Sequence, residues 1–186
     1  MGNIVGSSNF NFSSFFSGSE GIYILGLWCA DSYWWSSPIG ISNTDGRIIG
    51  RCRDYFLRFF PKERIKFRDN HLYVNSRPLL REFRSAKSSI EDKLTKSKLI
   101  YPYFAGRFDG DGSVNNNLRN DCRIVYGYRK EAELDRRIMK KIGIQKTQIY
   151  FYQSANTYCL YVSRYQSREF LEAIYPYSTK LQSIKF

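Results

Sequence analysis

The sequence predicts an α+β protein made of one unit used twice, each copy running αββαββα, with the two copies related by a pseudo-twofold axis. Three observations predict it. First, the stretch Ile24–Ser32 reappears as Phe104–Gly112, so that Gly26 and Gly106, Ala30 and Gly110, and Asp31 and Asp111 each stand 80 residues apart. Second, the apolar spacing switches between a helical period and a strand period in the same order in both halves. Third, the 29 Lys and Arg residues are spread through both halves instead of gathering in a tail.

The elements follow in order. Residues 1–18, rich in Ser, Asn, Gly and Phe, are expected to form a mobile arm that Phe12, Phe15 and Phe16 can pin to the body. The first unit spans 19–90. Its first helix starts at the cap Ser19 and ends near Asp31. A hairpin follows over 32–44, carrying Tyr33, Trp34, Trp35, Ile39 and Ile41 around a turn at Pro38. Asp45 caps a helix over 46–59, where Ile48, Ile49, Cys52, Tyr55, Phe56 and Phe59 recur at helical spacing and Pro61 ends the run. A second hairpin covers 64–76: Ile65 and Phe67 alternate with basic residues, and Leu72 and Val74 alternate with polar ones about a turn at Asp69-Asn70. A helix from Pro78 then carries Leu79, Leu80, Phe83 and Ile90 and gives way to a linker, 91–98. The second unit, 99–180, repeats the order. It has a helix over 99–111, with Pro102 tolerated in its first turn. A hairpin turns at Asn120-Asp121, and a helix over 130–142 ends at Gly143. A second hairpin turns at Ala155-Asn156, and a last helix covers 167–175.

Length and composition narrow the function. At 186 residues and 42% hydrophobic content the chain can bury a core. A net charge of +12 is the footprint of a protein that binds a polyanion. The 14 Phe, 15 Tyr and 3 Trp argue against disorder. Cys29, Cys52, Cys122 and Cys159 form no C-x-x-C pair, and the lone His71 cannot complete a zinc site of ordinary spacing, so they read as buried thiols in a reducing, intracellular compartment. No apolar run reaches membrane-spanning length, and the start lacks the pattern of a signal peptide. Nor is there a Gly-rich phosphate loop, or a Ser-His-Asp set that does not depend on His71.

The repeated stretch carries the chemistry. Residues four apart share a helix face, so Gly26 with Ala30 and Gly106 with Gly110 form two smooth stripes that can pack backbone to backbone. That packing brings Asp31 and Asp111 side by side at the helix ends. Two adjacent carboxylates repel unless a cation lies between them, and oxygen ligands suit Mg²⁺, which keeps waters and takes phosphate. Asp109, two residues before Asp111, points elsewhere around the helix and reads as structural. On the strands, one apolar face must cover helices. The other carries Arg, Lys, Asn, Gln and Tyr, the side chains that pair with base edges and phosphates.

Both stretches resemble the LAGLIDADG motif of homing endonucleases. Ala105, Gly106, Asp109, Asp111 and Gly112 match it letter for letter, while in the first copy Cys29 replaces the first aspartate and Ser32 the final glycine. Two motifs in one chain resemble the single-chain, pseudo-symmetric branch, over about residues 20 to 180. The resemblance implies LAGLIDADG helices packed at the centre, with two antiparallel sheets forming a DNA-binding saddle, in a monomer. It implies an intron-encoded endonuclease that hydrolyses one phosphodiester per strand of a long duplex DNA target and leaves short 3′ overhangs. A group I intron maturase acting on intron RNA, or a non-cleaving binding protein on the same scaffold, is the alternative. Asp31 and Asp111, with the carbonyls of Ala30 and Gly110, would hold Mg²⁺; Mn²⁺ would substitute and Ca²⁺ would bind without supporting cleavage. Asn43, Lys98 and Lys180 are the candidates to position water or stabilise charge, with Tyr128 or Arg129 as the counterpart of Asn43. DNA-facing positions are Tyr33, Trp35, Ser42, Lys66, Arg68, Tyr73, Asn75 and Arg77 in the first half. In the second they are Ser113, Asn115, Asn117, Arg119, Arg123, Arg129, Gln148, Tyr150, Tyr152, Tyr161 and Ser163. A location in the cytoplasm or nucleoid is expected, or in an organelle if the host gene is organellar.

Overall fold

A computed structural model describes residues 12–33, 38–95, 98–115 and 121–184. Two helices form its centre, α1 (Ser19–Asp31) and α5 (Ile100–Asp111). Both are buried nearly all round, as expected of helices with apolar residues on every face. They pack through their glycines. A methyl on Gly26 would fall 2.0 Å from the Tyr103 carbonyl oxygen, and one on Gly106 would fall 2.0 Å from the Tyr23 carbonyl oxygen. The two clashes are mirror images at the 80-residue offset, so the helices run in parallel about a local twofold axis. Their C-terminal ends, with Asp31 and Asp111, come out together.

Around this pair each half builds the same four-stranded antiparallel sheet. In the first half β1 (Ser32–Tyr33), β2 (Pro38–Ser42), β3 (Ile65–Arg68) and β4 (His71–Asn75) lie in the order β1-β2-β4-β3. In the second β5 (Gly112–Val114), β6 (Cys122–Tyr126), β7 (Thr147–Tyr152) and β8 (Thr157–Val162) lie in the order β5-β6-β8-β7. The registers Lys66↔Tyr73 and Arg68↔His71, and Arg123↔Tyr161 and Gln148↔Tyr161, put the polar residues of each sheet on one face. Ile39, Ile41, Leu72 and Val74, and their counterparts Cys122, Ile124, Leu160 and Val162, are buried on the other. The remaining helices, α2 (Gly46–Phe56), α3 (Arg77–Ser88), α6 (Arg129–Lys141) and α7 (Arg164–Ile174), complete the expected order. Left-handed φ values at Asp69 (53°) and Asn156 (49°) make the two hairpin turns, and Gly143 (92°) closes α6.

Ser19 opens α1 instead of capping it, because the cap position is Gly18 and no side chain caps the helix, and α2 ends at Phe56, short of 59. Three further stretches differ from the sequence reading. Phe12–Phe16 forms a 3-10 turn, with Phe15 and Phe16 buried against Phe83 and the Phe15 carbonyl accepting from the Tyr55 hydroxyl at 2.5 Å. This end of the arm is core, because its phenylalanines fill the space beside α2 and α3. Ile90–Thr95, mostly within the expected linker, is a helix, α4. Ile90 and Leu94 are buried one turn apart, and Glu91 accepts from Arg137 and Lys141 of α6. α7 begins at Arg164 instead of 167, and a 3-10 turn, Leu181–Ser183, follows it. Among the described residues no helix is long and apolar enough to cross a membrane.

Candidate active site and nucleic-acid face

The fold brings the two repeat carboxylates to one place. Asp31 lies over Gly110: a methyl there would meet the Asp31 Cγ and Oδ2 at 3.1 Å and the Ala30 Cβ at 2.5 Å. Position 110 therefore has to be Gly for the two helix ends to close. Burial raises the pKa of Asp31, opposed by a hydrogen bond from Asn43 Nδ2 to its Oδ2 at 2.6 Å. Burial pushes Asp111 up to about 6, opposed by the Arg107 charge and reinforced by Asp31. Lys180 lowers both acids by its charge and donates from Nζ to the Gly112 carbonyl at 2.7 Å.

Such a pair fits a divalent cation. Two half-buried carboxylates, each held towards its neutral form, lose that penalty when a cation joins them. The ends of two parallel helices add to the pull, since the last carbonyls have no intrahelical partner and carry partial negative charge. Ala30 and Gly110 sit in those last turns. Among the described residues no cluster of three His, Cys, Asp or Glu side chains occurs. Oxygen ligands of the kind Asp31 and Asp111 offer suit Mg²⁺, which usually keeps several waters and takes phosphate.

Beside Asp31 opens a cleft of about 290 Å³, lined by Ser42, Asn43, Thr44, Asp69, Asn70, His71 and Gly110. His71 and Asp69 also border this site, and nothing in the local sequence places them there. The Ser42↔His71 pairing of β2 with β4 brings the hairpin tip to Asp31, and no local pattern encodes that register.

The other candidates divide. Asn43 and Lys180 reach the acids. Lys98 does not: it is exposed, and it lies before α5 while Asp111 ends that helix, so about 13 residues at 1.5 Å each separate them by roughly 20 Å. The counterpart of Asn43 also moves. Ser32 pairs with Ile41 and Gly112 with Ile124, which aligns Asn43 with Tyr126, not with Tyr128 or Arg129. Tyr126 points into the core and donates to Asp135 Oδ2 at 2.9 Å. Asp109 is indeed held apart from the acids, accepting from Tyr23 Oη at 2.7 Å.

On the polar sheet faces, Lys66, Arg68 and Asn75 are exposed, and Tyr73 and Ser42 are partly so. In the second sheet the same row is wired together. Arg123 donates to Ser113 Oγ at 3.0 Å and to Tyr161 Oη at 3.1 Å, and Tyr152 and Tyr161 share a hydrogen bond of 2.7 Å. Gln148, Tyr150, Asn115 and Ser163 line the adjoining cleft of about 490 Å³, together with Lys146 and Arg164. Arg77 and Arg129 open α3 and α6 beyond the strand ends, and Arg129 is paired with Glu133 at 2.8 Å. Trp35, Asn117 and Arg119 lie outside the described residues, as does the side chain of Tyr33.

The cysteines are free, and the β6–β8 register sets Cys122 opposite Val162 and Cys159 opposite Val125, which separates the two thiols along the ladder. Burial pushes the Cys29 thiol up to about 11 and the Cys122 thiol up to about 12, consistent with inert thiols.

No family model and no curated protein sequence matches the chain. Solved structures do. I-DmoI in complex with DNA and Mn is similar at a TM-score of 0.67 and 17% identity, covering 84% of this chain and 97% of that one. I-DmoI with DNA and Ca gives the same TM-score and identity, over 84% and 88%, and a variant with its target DNA and Mg is also similar. The N-terminal LAGLIDADG domain of DUF199/WhiA is similar at 0.64 and 18%, over 86% of this chain and 83% of that one. The chain has the two-unit LAGLIDADG fold.

Proposed function

We propose, from a chain folded as the LAGLIDADG homing endonucleases are, that this protein is a site-specific endonuclease that cuts both strands of duplex DNA at a long target. The observation that carries the reading is the meeting of Asp31 and Asp111 at the paired ends of α1 and α5, between two polar sheet faces on a chain of net charge +12. I-DmoI, similar in fold, was solved with DNA and with Mn, Mg or Ca. A fold by itself does not carry an activity, and DUF199/WhiA has the same scaffold, so the proposal rests on the site.

The divisions of labour follow from position. Asp31 and Asp111, with the Ala30 and Gly110 carbonyls, would hold Mg²⁺ or Mn²⁺ against the scissile phosphates; Ca²⁺ would occupy the site without turnover. The bound ion supplies Lewis-acid activation of water and stabilisation of the leaving 3′ oxygen. Asn43 fixes the Asp31 carboxylate by donating to its Oδ2, at the edge of the cleft that both residues line. Lys180 brings a positive charge beside both acids, where charge develops on a phosphate. The exposed Lys66, Arg68 and Arg123 engage phosphates, and Asn75, Gln148 and the sheet tyrosines reach base edges. Cutting one phosphodiester per strand across the minor groove leaves short 3′ overhangs, which suits intron homing by a monomer inside the cell.

A plasmid carrying the uninterrupted exon junction tests this. Linearisation with Mg²⁺ and none with EDTA is the expected result. Asp31→Asn and Asp111→Asn should each abolish double-strand cleavage while leaving DNA affinity within about threefold, since neither acid contributes to phosphate attraction. Normal cleavage by either variant would remove the site assignment. Tight binding of intron RNA by a protein that never cuts DNA would favour the maturase reading.

A further inference from the structure

The chain after α7 returns as a strap across both halves, and the motif's other aspartate holds it. Asp109 accepts four hydrogen bonds: from Tyr23 Oη at 2.7 Å, from the Ser178 hydroxyl, and from the backbone N–H groups of Thr179 at 2.6 Å and Lys180 at 3.3 Å. Ser178 then accepts from the Leu181 N–H at 3.0 Å, and Ser178 and Leu181 are both fully buried. The opposite side of the strap is gripped from the first half. Arg51 of α2 donates to the Tyr177 carbonyl at 2.5 Å and to Thr179 Oγ1 at 3.1 Å. Arg51 is itself fixed by Glu20 at 2.7 Å and lies 3.5 Å over the Tyr23 ring. Glu20, Arg51, the strap, Asp109 and Tyr23 thus close into a ring.

One side chain gains a fixed position from this ring. Lys180 has its backbone N–H on Asp109 and its ammonium on the carbonyl of Gly112, the residue that follows Asp111. A lysine on an unanchored segment would sample a wide volume through its backbone as well as its side chain. A backbone pinned at two consecutive N–H groups removes most of that search. Among the described residues the first half shows no such device: position 29, equivalent to Asp109, is Cys, and its lysine candidate, Lys98, lies at the far end of α5.

Resting on the endonuclease reading, we propose that Asp109 is a positioning residue: it anchors the C-terminal strap and thereby places the Lys180 ammonium beside the paired acids. Asp109 touches neither metal nor DNA and acts only through Lys180.

The test uses the full-length protein. Acetic anhydride labelling, read by mass spectrometry, measures how freely the Lys180 amine reacts, and plasmid cleavage with Mg²⁺ gives kcat and KM. Asp109→Asn turns an acceptor of four donors into an amide. Ser178→Ala removes one donor by deleting a single oxygen, and decides the matter if Asp109→Asn fails to fold. In a folded variant, Lys180 labelling should rise several-fold and kcat should fall roughly tenfold or more, with KM within about twofold, the pattern of a misplaced group. Lys180→Met should lower kcat at least as far, and adding Asp109→Asn to it should lower kcat no further. Unchanged Lys180 labelling in a folded variant overturns the proposal, as does unchanged kcat with raised labelling, or a further loss in the double variant. Should wild-type protein cut no DNA, the endonuclease reading fails, and labelling alone still decides whether Asp109 fixes the amine.

Discussion

The two halves share a backbone and differ in their buried polar groups. Gly26 and Gly106 meet the partner helix at the same 2.0 Å, and the two sheets have the same strand order. Around that frame the first half is apolar at Leu27, where the second has Arg107, only 1% exposed. Arg107 pairs with Asp135 at 3.2 Å and lies 4.3 Å over the Tyr126 ring, and Asp135 also accepts from Tyr103 at 3.0 Å. Asp31 leans on the neutral Asn43, while Asp111 has Arg107 one turn before it and Lys180 beside it. The sheets differ likewise: exposed cations on the first, linked tyrosines on the second. The lesson is that helix–helix contact at backbone distance tolerates no variation, whereas side chains pointing outward from that contact can be rewired half by half.

The largest effect tests the shared frame. Gly26→Val and Gly106→Val each drive a side chain into a backbone carbonyl, and each should cost about 4 kcal/mol or more, measured by urea unfolding. By the symmetry of the two contacts the losses should be equal. A tolerated change on one side only would break the twofold account.

Next comes the difference between the halves. Asp135→Ala removes the nearer carboxylate from buried Arg107, leaving only Glu131 at 3.9 Å, and should cost about 3 kcal/mol. Pairing Arg107→Leu with Asp135→Leu imitates the first half at Leu27 and should recover the part of the loss that comes from the poorly paired charge, but not the part from the Tyr103 and Tyr126 hydroxyls, which lose their acceptor. A double variant no better than Asp135→Ala would show that the second half needs its ion pair.

A smaller effect comes from Asp111. Its pKa is raised in the folded protein, from 3.8 to about 6, so its contribution to stability is complete below pH 3.8 and is lost as pH rises through about 6. Metal-free Asp111→Asn should therefore be more stable than wild type at pH 7, by about 2 kcal/mol, and equal to it at pH 3.5. Asp31→Asn should gain less, because Asn43 already favours the Asp31 carboxylate. Thermal melts in EDTA across pH 3.5–8 check both signs. Cleavage should fall as pH drops, as protonated acid releases the metal, and raising the Mg²⁺ concentration should move that fall to lower pH.

Smallest of all is a control. Gly50 in α2 has nothing within 4 Å of an added methyl, so Gly50→Ala should stabilise by about 0.5–1 kcal/mol through helix propensity. Its gain, set against the losses at Gly26 and Gly106, separates glycines required by packing from one that is not.

Much was legible in advance, and particular residues show why. Apolar spacing such as Ile48, Ile49, Cys52, Tyr55 and Phe56 reports burial directly, so helices and hairpins appeared in the right order. Asp31 and Asp111 stood out because the same small-residue spacing precedes both. Lys98 fails on a ground the sequence already holds, since the helix expected over 99–111 sets it at the opposite end from Asp111. Arg107 and Asp135, 28 residues apart, had no local signal that they would be buried together.

Periodicity, composition and repeat spacing are local properties, and from them follow the two-unit plan, the strong positive charge and the pair of helix-end carboxylates. Most of what surrounds those carboxylates depends instead on how remote segments pack. His71 and Asp69 arrive through the β2–β4 register, and the Asp135 that holds Arg107 comes from α6. Both are contacts between distant segments, set by packing, and no short stretch of sequence encodes them, whereas Arg107 itself stands one helical turn before Asp111.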